Sequence, residues 1–322
     1  MSPVTDVAVF SIPMRVRFRG ITVREGLLLR GEAGWGEWSP FLEYDADEAV
    51  AWLRCAEEAA AGDWPDPVRD RVPVNVTVPV LSPEDAHALV ARSGCGTAKV
   101  KVADASGTLA GDQARLEAVR DALGPGGRIR VDANGAWDVD TALASLKVLD
   151  RAAGGLEYVE QPCATVEELA AVRRRTSILV AADESIRRAA DPYRVRELEA
   201  ADIAVLKVQP LGGVRACLRI AEDIGLPTVV SSALETSVGL AAGVALAAAL
   251  PELEYASGLA TVGMLADDVA EQRLAAVDGY VPVHRPQVSE EWLARCSASP
   301  EREAHWRARL AEVRAVGQDR SS

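Results

Sequence analysis

From residue 72 onward, short apolar and β-branched runs alternate with longer segments of helical spacing, each pair filling about one βα unit. The runs lie at 72–78, 97–102, 128–132, 156–160, 178–183, 203–207 and 228–232, with a weaker eighth candidate at 255–260. Between them, Ser82-Pro83-Glu84-Asp85 and Thr165-Val166-Glu167-Glu168 carry the spacing of a capping box, while Gly94 and Gly124-Pro125 supply helix stops. Seven alternations with short connections predict an α/β fold, a closed parallel (β/α)8 barrel of the TIM type. An open doubly wound sheet commonly has fewer strands and a glycine-rich phosphate loop, and neither the dinucleotide nor the P-loop glycine fingerprint occurs here.

The first part of the chain is patterned differently. Runs at 7–10, 20–24, 27–30 and 34–38 are punctuated by Gly and Pro and predict an antiparallel meander, followed by helical periodicity over 45–61 that sets Asp47, Arg54 and Glu58 on one outer face. Residues 1–71 are therefore expected to form an α+β capping domain, 72–286 the barrel, and 287–322 a C-terminal helix (302–314) that packs back on the cap, with a mobile polar tail at 317–322. The longest apolar stretch, 238–250, falls short of the roughly 20 residues a membrane span requires and reads as a buried helix.

Composition narrows the function classes. Among 322 residues, 49% are hydrophobic and 26% charged, enough to bury a large core, and the formal net charge of −13 comes with no basic stripe. Nucleic acid and anionic membrane are accordingly excluded as partners. Cys55, Cys95, Cys163, Cys217 and Cys296 are scattered, odd in number and without a Cys-x-x-Cys pair, which argues against a disulfide framework or a zinc site. With no basic-then-apolar leader pattern at the start, a cytoplasmic location is expected. No signal of oligomeric state appears, and a monomer is the default expectation.

The chemistry lies in where charges meet the strands. Lys99 and Lys101 fall on the second run, Asp132 ends the third, Glu160 the fourth, Asp183 the fifth and Lys207 the sixth. Barrel strands are buried on both sides, so charges there are costly unless paired or bound to metal. Each is about one βα repeat from the next, which brings all of them to the C-terminal mouth where barrel enzymes place catalysis. Asp132, Glu160 and Asp183 repel one another unless a cation neutralises them, and an all-oxygen set favours a hard ion such as Mg²⁺. Lys99 and Lys101, two apart on a strand, share a face, and a lysine beside a cation is pushed toward the neutral form a general base needs. His87, His284 and His305 all fall on predicted helices or tail segments, which leaves a His base, a Ser-His-Asp triad and a His-ligated metal unsupported.

The motifs Lys99-Val100-Lys101, Val131-Asp132-Ala133-Asn134-Gly135-Ala136-Trp137, Tyr158-Val159-Glu160-Gln161-Pro162, Ala182-Asp183-Glu184-Ser185 and Leu206-Lys207 resemble the muconate-lactonising-enzyme subgroup of the enolase superfamily over nearly the whole chain. The resemblance implies a modified, enolase-like barrel whose three carboxylates hold Mg²⁺, with Mn²⁺ tolerated. The ion there grips a small-molecule carboxylate and stabilises the enediolate left when its α-proton departs. Within the subgroup, Val230-Ser231-Ser232-Ala233-Leu234-Glu235-Thr236-Ser237-Val238-Gly239 is similar to o-succinylbenzoate synthases of the actinobacterial kind, which dehydrate a succinyl-hydroxycyclohexadiene carboxylate on the way to menaquinone. That likeness makes Lys101 the base and then the acid, Lys207 the stabiliser on the opposite face, and Lys99 the group that tunes Lys101.

Ser231 and Ser232, at a strand end before a helix starting near Ser237, read either as a pocket for a second substrate carboxylate or as helix capping. Asn134, Leu234, Gly258 and Leu259 complete the expected substrate-binding set, Leu259 as an apolar wall. Trp35, Trp38 and Phe41, with Phe18 and Arg19, read chiefly as cap core, with some facing the pocket. Two lysines on opposite faces would also serve an N-succinylamino-acid racemase. A dipeptide epimerase of this subgroup usually carries an Asp-x-Asp after strand eight, whereas Gly258-Leu-Ala-Thr-Val-Gly-Met264 has none. A non-catalytic barrel scaffold predicts the loss of a ligand or lysine, and none is lost.

Overall fold

The computed structural model describes residues 6–188 and 192–319. Its N-terminal meander has three strands, β1 (Asp6–Phe18), β2 (Ile21–Gly31) and β3 (Gly34–Trp38), antiparallel and adjacent in that order. The expected runs 20–24 and 27–30 merge into β2 because Glu25 and Gly26 keep their pairing, opposite Ser11 and Phe10. Arg19 and Gly20, at φ 50° and 78°, make the two-residue turn whose twist suits a hairpin. Helix α1 (Ala46–Ala61) starts at an Asp45/Glu48 capping box and ends at left-handed Gly62. It crosses β3 so closely that a Cβ on Gly36 would stand 1.9 Å from the Ala56 carbonyl oxygen.

The run at 72–78 divides into β4 (Arg71–Pro73) and β5 (Val76–Val78). Six further staves follow, β6 (Thr97–Lys101), β7 (Arg128–Asp132), β8 (Tyr158–Glu160), β9 (Val180–Ala182), β10 (Ile203–Leu206) and β11 (Thr228–Val230). Strands β5 to β11 lie side by side in chain order and all parallel, while β4 pairs antiparallel with β12 (Tyr280–Pro282) to one side. The eighth stave expected at 255–260 is reduced to two single-residue parallel bridges, Val74 with Ser257 and Ser231 with Gly258, which close the ring. Its Tyr-Ala-Ser-Gly-Leu-Ala sequence has no β-branched residue to favour an extended run, and a Cβ at Gly258 would meet Ser231 Oγ at 2.7 Å.

Helices surround the staves: α2 (Pro83–Ser93), α3 (Leu109–Leu123), α4 (Val139–Ala153), α5 (Val166–Arg173), α6 (Glu184–Arg187), α7 (Arg194–Glu197), α8 (Val208–Leu211), α9 (Val214–Ile224) and α10 (Ser237–Ala249). Thr165 and Glu168 form the full capping box, whereas Ser82 accepts from Asp85 N while the Asp85 carboxylate meets the Ser82 hydroxyl instead of its backbone. The apolar stretch is α10, buried almost throughout, and among the described residues no helix is long and apolar enough to cross a membrane.

Two carboxylates of the cap reach across to helix starts of the barrel. Glu58 was expected on an outer face; instead it turns inward and accepts from Val214 N at 2.6 Å and Arg215 N at 3.0 Å, where Gly213 offers α9 no side-chain cap. Glu37 on β3 is fully buried and accepts from Thr236 N at 3.1 Å, Thr236 Oγ1 at 2.5 Å and Gly239 N at 3.0 Å at the head of α10, and from Ser39 Oγ at 2.6 Å.

After β12, α11 (Glu290–Arg295) and α12 (Pro300–Asp319) return to the cap. Trp306 stands edge-on to Trp38 at 5.7 Å, Arg302 Nε reaches the Glu25 carboxylate at 2.9 Å, and Ser297 bridges to Phe10. Helix α12 continues beyond the expected 302–314 to Asp319, its Gly317 beside Val50 of α1, so residues 317–319 are helical and not a loose tail. Residues 320–322 of that tail, and 1–5 of the cap, lie outside the described residues.

Candidate active site

The staves deliver their charges in lateral register. Lys101 on β6 pairs with Asp132 on β7, which pairs with Glu160 on β8. Asp183 follows β9 and opens α6; Lys207 follows β10 and opens α8. Asp132, Glu160 and Asp183 are wholly buried, and Lys99 and Lys207 nearly so. Every charged residue read from the pattern at the strand ends therefore comes to one mouth.

Their pairing is specific. Lys99 Nζ donates to both Glu160 oxygens at 2.9 Å and lies 3.4 Å from Asp132 Oδ2. Lys101 Nζ pairs with the Asp132 carboxylate and donates to Asn134 Oδ1 at 2.8 Å. Across the mouth, Lys207 Nζ donates to Asp183 Oδ2 at 2.6 Å and Arg187 Nε to Asp183 Oδ1 at 2.8 Å. Gln161 Oε1 accepts from Asp183 N at 3.0 Å and Ser185 N at 3.2 Å and so fixes the turn that carries the third carboxylate.

These contacts set the protonation states. Burial pushes the Asp132 carboxyl up, but Lys101 and Lys99 outweigh it and hold it well below the usual carboxylate range. Asp183 is likewise held low, Lys207 and Arg187 overcoming burial. Glu160 goes the other way, to about 7, because burial and the Asp132 charge together exceed what Lys99 returns. Lys99 has its ammonium pKa raised, because Glu160 and Asp132, the charges nearest to it, override burial. Burial lowers Lys207 despite Asp183.

The donor set fits a hard divalent cation in kind: three buried carboxylates, oxygen only, one of them under-neutralised, with the Lys99 ammonium standing between two of them as a cation does. In arrangement they differ from the expected convergence. Lys99 is shared by Glu160 and Asp132, Lys101 also holds Asp132, and Lys207 and Arg187 hold Asp183, and among the described residues no group of three His, Cys, Asp or Glu side chains meets at one point.

Above the charges opens a narrow cleft lined on one side by Lys99, Lys101 and Asn134, on the other by Lys207 and Arg187, and at its far wall by Ser231, Ser232, Ala233, Leu234 and Gly258. Phe18 and Arg19, from the β1–β2 turn, form its roof, with Lys101 Nζ 5.5 Å from the Phe18 ring centre. Asn134 (φ 47°) and Leu234 (φ 67°) adopt the left-handed backbone rare for side-chain-bearing residues. Ser232 Oγ accepts from Leu234 N at 2.8 Å and lies 2.5 Å from Thr261 Oγ1, so this hydroxyl also shapes the turn.

Leu259 is not a pocket wall. It is wholly buried and faces α10, its Cδ2 2.8 Å from where a Cβ of Gly243 would stand, because parallel bridging at Gly258 turns the next side chain outward from the ring. Trp38 and Phe41 are cap core, and Trp35 lies half-buried beneath Arg30. Arg187, Thr77 and Thr261 line the cleft unforeseen. Arg187 alone had a signal, its i+4 spacing from Asp183.

Residues 82–287 match the model of the enolase C-terminal domain-like family and residues 9–60 that of the enolase N-terminal domain-like family. An o-succinylbenzoate synthase of Thermobifida fusca is 65% identical over 307 residues, 95% of each chain, and one of Mycolicibacterium smegmatis is 54% identical over 92% of this chain and 91% of its own. Among solved structures, the muconate lactonizing enzyme of Pseudomonas putida superposes with a TM-score of 0.74 at 20% identity, covering 91% of this chain and 98% of that one, a likeness of fold.

Proposed function

The chain belongs to the o-succinylbenzoate synthases of the enolase superfamily, and on that footing we propose that it dehydrates 2-succinyl-6-hydroxy-2,4-cyclohexadiene-1-carboxylate to o-succinylbenzoate, a step of menaquinone biosynthesis. The observation that carries the reading is the pair of amines facing one cleft from opposite walls, Lys101 on β6 and Lys207 after β10, over a floor of buried carboxylates.

Asp132, Glu160 and Asp183 would hold Mg²⁺. Bound there, the ion supplies Lewis-acid stabilisation of negative charge building on the substrate's C1 carboxylate. Lys101, as the free amine, takes the proton from C1, and the C–H electron pair moves into the carboxylate to give an enediolate. That pair then returns to form the C1–C6 double bond as the C6–O bond breaks, and the ammonium of Lys101 delivers the same proton to the departing hydroxyl, which leaves as water while the ring becomes aromatic. Both transfers occur on one face, as one amine requires. Asn134 holds Lys101 in place through its 2.8 Å contact. Lys207 lies on the other face and stabilises the planar anion, and Lys99, clamped to Glu160, keeps that carboxylate aligned. Ser231, Ser232 and Gly258 line the far wall of the cleft, and on this reading they receive the succinyl carboxylate. Five free, buried cysteines support a cytoplasmic setting.

Steady-state assays with the cyclohexadiene substrate and with N-succinylamino acids, run with Mg²⁺, test this. Wild type should dehydrate the first, and Lys101→Ala should lose both dehydration and α-proton exchange by a factor on the order of 10³ or more. Proficient racemisation without dehydration would make the chain a racemase instead.

A further inference from the structure

The far wall of the cleft is held by the cap. Ala233 and Leu234 lie in the loop between β11 and α10, and Leu234 sits at φ 67°, where leucine is rarely found. Two inward contacts shape the loop from the barrel side: Ser232 Oγ accepts from Leu234 N, and the Glu235 carboxylate accepts from Ala233 N at 2.9 Å. The carbonyl side of the loop belongs to Arg24, a residue of cap strand β2 that is only 2% exposed.

Arg24 spends its whole guanidinium on this junction. Nε donates to the Leu234 carbonyl at 2.9 Å and Nη2 lies 3.5 Å from that of Ala233. Nη2 also donates to Ser39 Oγ at 2.8 Å and to the Ser39 carbonyl, and Nη1 to the Glu25 carbonyl at 3.0 Å. The Phe41 ring covers its face, 4.5 Å away. All these acceptors are uncharged carbonyls or hydroxyls. The Glu37 and Glu235 carboxylates nearby offset part of the cost of burying the guanidinium, but the hydrogen bonds themselves go to neutral atoms, and an apolar side chain would pack there without desolvating a charge. What a rigid planar fork supplies is direction: several donors fixed in one plane, aimed at two successive carbonyls.

From this geometry we infer that Arg24 is a positioning residue, setting the 231–234 loop at the height and tilt needed to receive the substrate's distal, succinyl carboxylate. The inference rests on the synthase reading above. It touches neither the proton-transfer amines nor the carboxylate floor. Loss of Arg24 should therefore act on binding of the succinyl arm and leave the ring carboxylate's site alone.

Two ligands separate those ends: o-succinylbenzoate, which carries both carboxylates, and benzoate, which carries the ring carboxylate only. Their dissociation constants are measured by calorimetry on the full chain with Mg²⁺, for wild type, Arg24→Lys and Arg24→Gln, beside steady-state dehydration. The variants should weaken o-succinylbenzoate and raise KM about tenfold or more, with kcat changed by less than about threefold and benzoate by less than about twofold. Arg24→Lys, which keeps one donor in reach of the loop, should recover part of the loss seen in Arg24→Gln. Equal weakening of both ligands would make Arg24 a general staple and overturn the inference, as would wild-type behaviour. Should both variants fail to fold, Ser39→Ala removes one Nη2 contact together with the hydrogen bond the same hydroxyl gives Glu37, and is read the same way: loss confined to the succinyl ligand supports the inference, and uniform loss or none overturns it. A wild type that neither dehydrates nor binds o-succinylbenzoate would bring down the synthase reading itself, whereas an active wild type matched by its Arg24 variants would bring down only this one.

Discussion

Glu37 offers a test of how the cap is seated on the barrel. Its carboxyl is pushed up to about 7 from an ordinary 4.5, because burial outweighs the Arg24 charge and the hydrogen bonds from Ser39 and Thr236. Between those two values the folded protein binds the proton more tightly than the unfolded chain does. Stability from this residue is thus fully present below about 4.5 and is lost as pH rises through about 7, by about 3 kcal/mol at about 1.4 kcal/mol per unit. Glutamine imitates the protonated acid. Its amide oxygen can take the place of Oε2, which accepts from Thr236 N, Thr236 Oγ1 and Gly239 N, while its NH₂ donates to Ser39 Oγ in place of Oε1. Glu37→Gln should therefore match wild type in urea unfolding at pH 5 and exceed it at pH 8, by up to about 3 kcal/mol. Glu37→Ala orphans the same donors and should lose several kcal/mol at both pH values, at about 1–3 kcal/mol for each donor left dry. Circular dichroism across urea series at pH 5, 6, 7 and 8 gives the comparison. Parallel pH profiles for wild type and Glu37→Gln, or a glutamine variant weaker than wild type at pH 8, would refute the argument.

Two further outcomes are expected. Gly36→Ala drives a Cβ into the Ala56 carbonyl and should cost about 2 kcal/mol or more, read as a lowered Tm; an unchanged melt would mean α1 can shift away from β3. Glu160→Gln should weaken Mg²⁺ binding about tenfold or more by calorimetry while the fold persists, and unaltered affinity would remove this carboxylate from the ligand set.

The staves were legible because β-branched runs buried on both faces leave few positions for charge, so Lys99, Lys101, Asp132, Glu160, Asp183 and Lys207 stood out in the sequence, and all reach one mouth. Where extended structure depends on partners instead of on its own residues, the pattern was blind. The segment 255–260 bridges only at Ser257 and Gly258, and 20–30 runs on through Glu25-Gly26 because β1 pairs with it. Leu259 looked like a pocket wall by adjacency to Gly258, but the direction of its side chain follows from how the ring closes. Arg24, Glu37 and Glu58 are ordinary charged residues in the sequence, and their roles arise from contacts spanning 156 to 210 positions. Which ammonium or guanidinium meets which carboxylate was equally unreadable, since it depends on the reach of individual side chains.

The junction of β1 and β2 with Ser297, Arg302 and Trp306 bears on how the polypeptide is made. A nascent chain leaving the ribosome presents its first strands early, yet their outer partners emerge only at the end of synthesis, after every stave has appeared. The hairpin whose tip carries Phe18 and Arg19 thus gains its last supports once translation is nearly finished. A product interrupted before residue 300 would own all its acids and amines, and the bridges from Met14 to Leu265 and Phe10 to Ser297, yet lack the Arg302 and Trp306 contacts that back the hairpin from outside.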